Sequence, residues 1–73
     1  MTERHPAVAD LLDFFGYAHL PPHLREVSQG FHDLAYALVD DHDLAGPELT
    51  VALRKLLEAK DCAVRAALKQ GRS

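Results

Sequence analysis

The chain is 73 residues long, 48% hydrophobic and 26% charged, with a formal net charge of -3 at pH 7. That size makes one small domain whose own core is marginal, and such scaffolds are completed by disulfides, a metal or further subunits. Cys62 is the lone cysteine and no paired Cys/His spacing suits zinc, which leaves oligomerisation, while the acidic balance and the lack of a Lys/Arg block exclude broad duplex DNA or RNA binding.

Pro6 suits a first helical turn, with Thr2 or His5 before it as cap, and Val8, Leu11, Leu12 and Phe15 follow at i, i+3, i+4, i+7 spacing. The spacing predicts a helix over about 6–16, with Gly16 free to take a left-handed cap and Pro21-Pro22 preventing continuation. Phe14 and Phe15 point about 100° apart on a helix, so one stripe cannot bury both. With Tyr17 they form an aromatic corner from which at least one ring is expected to meet another chain or a flat ligand.

A second helix is predicted over about 22–41, where Leu24, Val27, Phe31, Leu34, Ala35, Leu38 and Val39 gather into one apolar stripe. Gly30 inside it costs roughly 1 kcal/mol relative to Ala and marks a candidate bend or close approach. Arg25, Gln29, His32 and Tyr36 line one flank of the stripe, and Ser28 within it suits a bond back to a helix carbonyl. Asp40-Asp41-His42-Asp43 breaks the pattern before Gly46-Pro47-Glu48 opens a third helix over about 47–69. The fold class is all-α: a short N-terminal helix plus an antiparallel hairpin in one domain, 1–73, assembled as a homo-oligomer. The last few residues are expected to fray.

Lys60 falls in the middle of the third helix's apolar face, where an unpaired ammonium would be expensive. Either its stem packs while the ammonium reaches a carboxylate, such as one in the first helix, or it faces an anion at a subunit junction. On the opposite face Arg54/Glu58 and Asp61/Arg65 are i,i+4 pairs of opposite charge, suited to a solvated helix face. An Arg placed there can also offer its fork to a phosphate.

The histidines do not suit a metal site: His19 and His23 are four apart but straddle Pro21-Pro22, so they form no helical pair. Cys62 lies inside a helix, no Ser sits on a sharp turn and the Gly residues are scattered, so neither an enzyme nor a glycine-rich phosphate loop is expected, and no cofactor is implied. No charged and apolar leader opens the sequence and no apolar run approaches about 18 residues, so a soluble protein of a reducing cytoplasm is the expectation, without membrane contact.

Phe15-Gly16-Tyr17-Ala18-His19-Leu20-Pro21-Pro22, then Phe31-His32-Asp33-Leu34-Ala35, then the run from Pro47-Glu48-Leu49 through Val51-Ala52-Leu53-Arg54-Lys55-Leu56-Leu57-Glu58-Ala59-Lys60-Asp61-Cys62-Ala63-Val64-Arg65-Ala66, resembles the phage-encoded helical-hairpin domains that act as sponges for cyclic nucleotide signals. These are the anti-CBASS proteins and their anti-Thoeris relatives, and the resemblance covers roughly 14–68. It implies compact oligomers, often hexamers, that bind cyclic di- or trinucleotides or cyclic ADP-ribose isomers between subunits without cleaving them. A bacterial anti-phage effector in the host cytoplasm is thereby left without its signal.

By the same resemblance Tyr17 stacks on a base with Phe15 and His19 beside it, and Arg54 contacts phosphates in a second kind of pocket. The family commonly carries a basic residue where this chain reads Val27-Ser28-Gln29-Gly30; Gln29 joins the candidate set from that stretch, and Arg25 and His32 are the nearest cation-capable side chains. Lys60 completes the candidate ligand-binding set of Tyr17, His19, Arg54, Phe15, Gln29 and Lys60. Two other classes stay open: a small adaptor binding a host protein through Phe14, Phe15 and Tyr17, and a nucleotide-processing enzyme, which would show turnover.

Overall fold

The computed structural model describes residues 5–71, and among them the chain is helix and loop with no strand. Three α-helices follow in order: α1 over Pro6–Asp13, α2 over Pro22–Tyr36 and α3 over Pro47–Gly71. Helix α3, at 1.5 Å per residue, is roughly 38 Å long and spans most of the 45 Å long axis of the molecule. Both α1 and α2 pack on it.

His5 starts α1, accepting the Ala7 amide on its Nδ1 at 3.1 Å. This fills an otherwise orphaned donor of the first turn. Thr2, the other candidate cap, lies outside the described residues, as do Arg72 and Ser73. The helix is shorter than its periodicity predicts, stopping at Asp13 rather than near Gly16. The Phe14, Phe15 and Gly16 amides bond back three residues to Leu11, Leu12 and Asp13, tightening the last turn. The Phe15 ring keeps to the stripe of Val8 and Leu12 and lies in the core at 0% exposure, whereas its neighbour Phe14 points away and is 63% exposed. Gly16 takes no left-handed cap: the positive φ values among the described residues fall at Asp43, 51°, and Gly46, 94°.

Pro21 and Pro22 open α2, with the Leu24 and Arg25 amides bonding to the Pro21 carbonyl. The expected span to Asp41 is helical throughout, but its last turn, Ala37–Asp41, is wound as a π-helix. The His42 amide reaches back to Ala37 and the Leu44 amide to Leu38, wider loops than the α pattern. The connection then turns through Asp43 and Gly46, where a left-handed conformation is available at little cost to Gly. Gly30 produces no close approach, since nothing lies within 4 Å of where its Cβ would stand.

One core joins the elements: Val8, Leu12 and Phe15 from α1 and its end, Ala35 and Val39 from α2 and its last turn, and Leu49 and Leu53 from α3. Phe31, Tyr36, Leu56 and Leu57 pack against its edges. Ser28 is buried at 0% exposure, and its hydroxyl has no hydrogen-bond partner, contrary to the expected bond to a helix carbonyl. No helix among the described residues is long and apolar enough to cross a membrane.

Candidate functional site

Phe15 and the proline turn place Tyr17 at the start of α2's polar flank. Buried Phe15 anchors the chain on one side of Gly16, and on the other the Leu20 amide closes a turn onto the Tyr17 carbonyl at 3.0 Å. Pro21-Pro22 then start α2 at once, so Tyr17 meets the face of that helix that carries His32 and Tyr36. The Tyr17 and His32 rings lie 4.9 Å apart at 79°, an edge contact, and His32 lies 4.5 Å from Tyr36 at 34°.

These three half-buried rings form one cluster, with the imidazole between two phenols. Such geometry suits the ring quadrupoles, which favour edge-to-face and offset contacts. Whichever ring offers its edge in the Tyr17–His32 contact, at least one face of Tyr17 is left uncovered by the imidazole. The His32 Nδ1 lies 3.0 Å from the Asp33 carboxylate, and against an ionised carboxylate Nδ1 is the donor of that bond.

Along the same flank stand exposed Gln29, three residues before His32, and exposed Arg25. Seven residues separate Arg25 from His32, about 10 Å along the axis. The cluster thus offers ring faces at one end and an amide and a guanidinium at the other. A ligand with a flat base and an anionic link matches that order.

The other predicted site residues fall in different places. Phe15 is wholly in the core, so it shapes the corner from beneath rather than touching a ligand. His19 and Lys60 share a second feature, an open groove of about 230 Å³ lined also by Leu20, Asp61, Val64 and Arg65. Lys60 reaches no carboxylate of α1: its Nζ donates to the Phe14 main-chain carbonyl at 2.7 Å and stands 3.8 Å from Asp61.

Arg54 is exposed on α3 and does not line that groove. Neither expected i,i+4 ion pair forms among the described residues; Arg65 instead donates to the Cys62 sulfur at 3.3 Å. Exposed pairs at this spacing contribute little, so long side chains are free to take other positions.

Sequence reasoning placed His32 and Tyr36 on an ordinary polar flank and did not join them to Tyr17. Their i,i+4 spacing, which sets both on one face, was the available signal. Among the described residues no group of three or more His, Cys, Asp or Glu side chains is arranged to hold a metal ion. Charge is unevenly spread: α3 carries Arg54, Lys55, Lys60, Arg65 and Lys69, whereas Arg25 is the one Lys or Arg in residues 5–46. Comparisons with protein-family models, with curated proteins and with solved structures found no significant match to this chain.

Proposed function

We propose that the protein binds a cyclic nucleotide signal, a cyclic di- or trinucleotide or a cyclic ADP-ribose isomer, and holds it without cleaving it, so that a bacterial anti-phage effector is deprived of its activator. The observation that carries this reading is the half-buried Tyr17–His32–Tyr36 cluster, with a Tyr17 ring face clear of the imidazole and Gln29 and Arg25 further along the flank. Base stacking on an aromatic ring contributes on the order of 1–3 kcal/mol per base and tolerates any base. A few neighbouring donors suffice for the phosphates, which is how an acidic protein can bind an anion locally.

In this reading α2 and α3 form an antiparallel hairpin that assembles as a homo-oligomer, a hexamer being frequent in the family the sequence resembles. Two symmetry-related copies each supply half a pocket, and a two-fold symmetric ligand then meets two Tyr17 rings. Burial between subunits lowers the local dielectric and strengthens the phosphate contacts. The protein would act in the cytoplasm of the infected host.

A second reading has its own observation. Phe14 is 63% exposed at the same corner, as an adaptor that inserts an aromatic anchor into a host protein requires. Thermal melting with a panel of cyclic di- and trinucleotides and cyclic ADP-ribose isomers separates the two. The sponge reading expects at least one of them to raise the melting temperature; no shift with any, from an oligomeric sample, contradicts it. A stable protein partner with no nucleotide-dependent shift supports the adaptor.

A further inference from the structure

Helix α1 is eight residues long, with no acidic side chain in its first turn and no basic one in its last. A helix so short is unstable by itself, and its C-terminal dipole has no local compensation. Compensation comes from across the fold. The Lys60 ammonium, 46 residues away in sequence, donates to the Phe14 carbonyl just past the end of α1. At 2.7 Å this is a short, charge-assisted bond.

The Lys60 side chain is only 12% exposed, so the ammonium is largely withdrawn from water and depends on its partners. Asp61 at 3.8 Å lies at the outer limit of an ion pair, which leaves the Phe14 carbonyl as the dominant one. Phe14 sits three residues before Tyr17, and the segment between contains one other anchor, the core ring of Phe15. His19 and Leu20, on the far side of Tyr17, form the wall of the groove that Lys60 also lines.

We propose that Lys60 is a positioning residue: by capping α1 from α3 it fixes the Phe14–Leu20 corner on the body of the protein and so sets where the Tyr17 ring meets His32. Its effect on ligand binding rests on the function proposed above, whereas its effect on the corner stands without it. Lys60 then acts on a ligand through Tyr17 and not as a direct anion contact.

The test uses the full chain carrying Lys60→Met, which keeps an apolar stem and removes the donor, and Lys60→Arg, which restores one. Without ligand and well below melting, NMR would record the Tyr17–His32 ring contact, hydrogen exchange at the Leu20 amide, and exchange at the Leu53 amide as a core reference. In Lys60→Met the ring contact should be lost and Leu20 exchange should rise about tenfold with Leu53 unchanged, and Lys60→Arg should recover both. An intact ring contact with unchanged Leu20 exchange in Lys60→Met overturns the proposal.

Should Lys60→Met not fold, the wild-type Lys60 ammonium resonance decides. A signal protected from water is expected, and rapid exchange with bulk water overturns the assignment. Titration with the cyclic nucleotide that gives the largest melting shift separates the two layers. A ring contact that moves in a protein binding none of the panel refutes the sponge reading alone; unchanged geometry and affinity in Lys60→Met refute the role of Lys60 alone.

Discussion

Phe14 and Phe15 are the same residue type at neighbouring positions, and the fold predicts opposite outcomes for their loss. Phe15 is 0% exposed, so Phe15→Ala removes a fully buried ring and leaves a cavity between α1 and α3, at a cost of about 3–5 kcal/mol. A domain of 73 residues has a total stability of roughly 4–11 kcal/mol. At about 4–8 °C per kcal/mol for a domain of this size, the variant should melt at least 12 °C lower, and at the lower end of that stability range it should not fold at room temperature.

Phe14 is 63% exposed and outside the core cluster, so Phe14→Ala should change the stability of an isolated protomer by no more than about 0.5 kcal/mol. If a second copy covers the Phe14 ring, its loss instead lowers melting at high protein concentration, where association occurs, and leaves melting at low concentration unchanged. Urea and thermal denaturation at two protein concentrations read all of this. Equal destabilisation of the two variants at low concentration would refute the packing described for the corner.

The remaining expectations are narrower. Ser28→Ala removes a buried hydroxyl that has no partner and replaces Ser by a better helix former, so it should stabilise the fold by about 1 kcal/mol; a loss of stability in urea denaturation would mean that the hydroxyl is satisfied after all. Tyr17→Ala should weaken binding of a cyclic nucleotide by roughly 5- to 150-fold, the equivalent of about 1–3 kcal/mol of stacking, and leave the mass in solution unchanged. Calorimetry beside a mass measurement checks both, and unchanged affinity would remove Tyr17 from the site.

Helix positions were legible because apolar spacing and proline placement act locally. Pro6, Pro22 and Pro47 each stand at the first position of a helix, and Leu12, Ala35, Val39, Leu49 and Leu53 occupy the expected faces. The end of α1 was not legible, because the apolar stripe runs on to Phe15 while the backbone bonds already tighten to three-residue spacing from Phe14 onward. Nor was the π turn at Ala37–Asp41, since the apolar spacing through Val39 carries no mark of a widened turn.

Lys60 stood out as a cation on an apolar face, but its partner is a main-chain carbonyl, and every residue carries one. Side-chain identity could therefore not name it. The ring cluster needed tertiary geometry for a similar reason: Tyr17 and His32 meet only because the corner and Pro21-Pro22 fold the chain back onto α2. Arg54, chosen by resemblance, is exposed on α3.

The central claim is retention of an intact ligand. The most direct measurement mixes the protein with a stoichiometric amount of the cyclic nucleotide that gives the largest melting shift, separates bound from free, heats the complex and analyses what is released by chromatography and mass. The sponge account predicts depletion of the free nucleotide on mixing and its quantitative recovery, unchanged, on heating. Recovery of a linear or hydrolysed product, or no depletion at all, would contradict it.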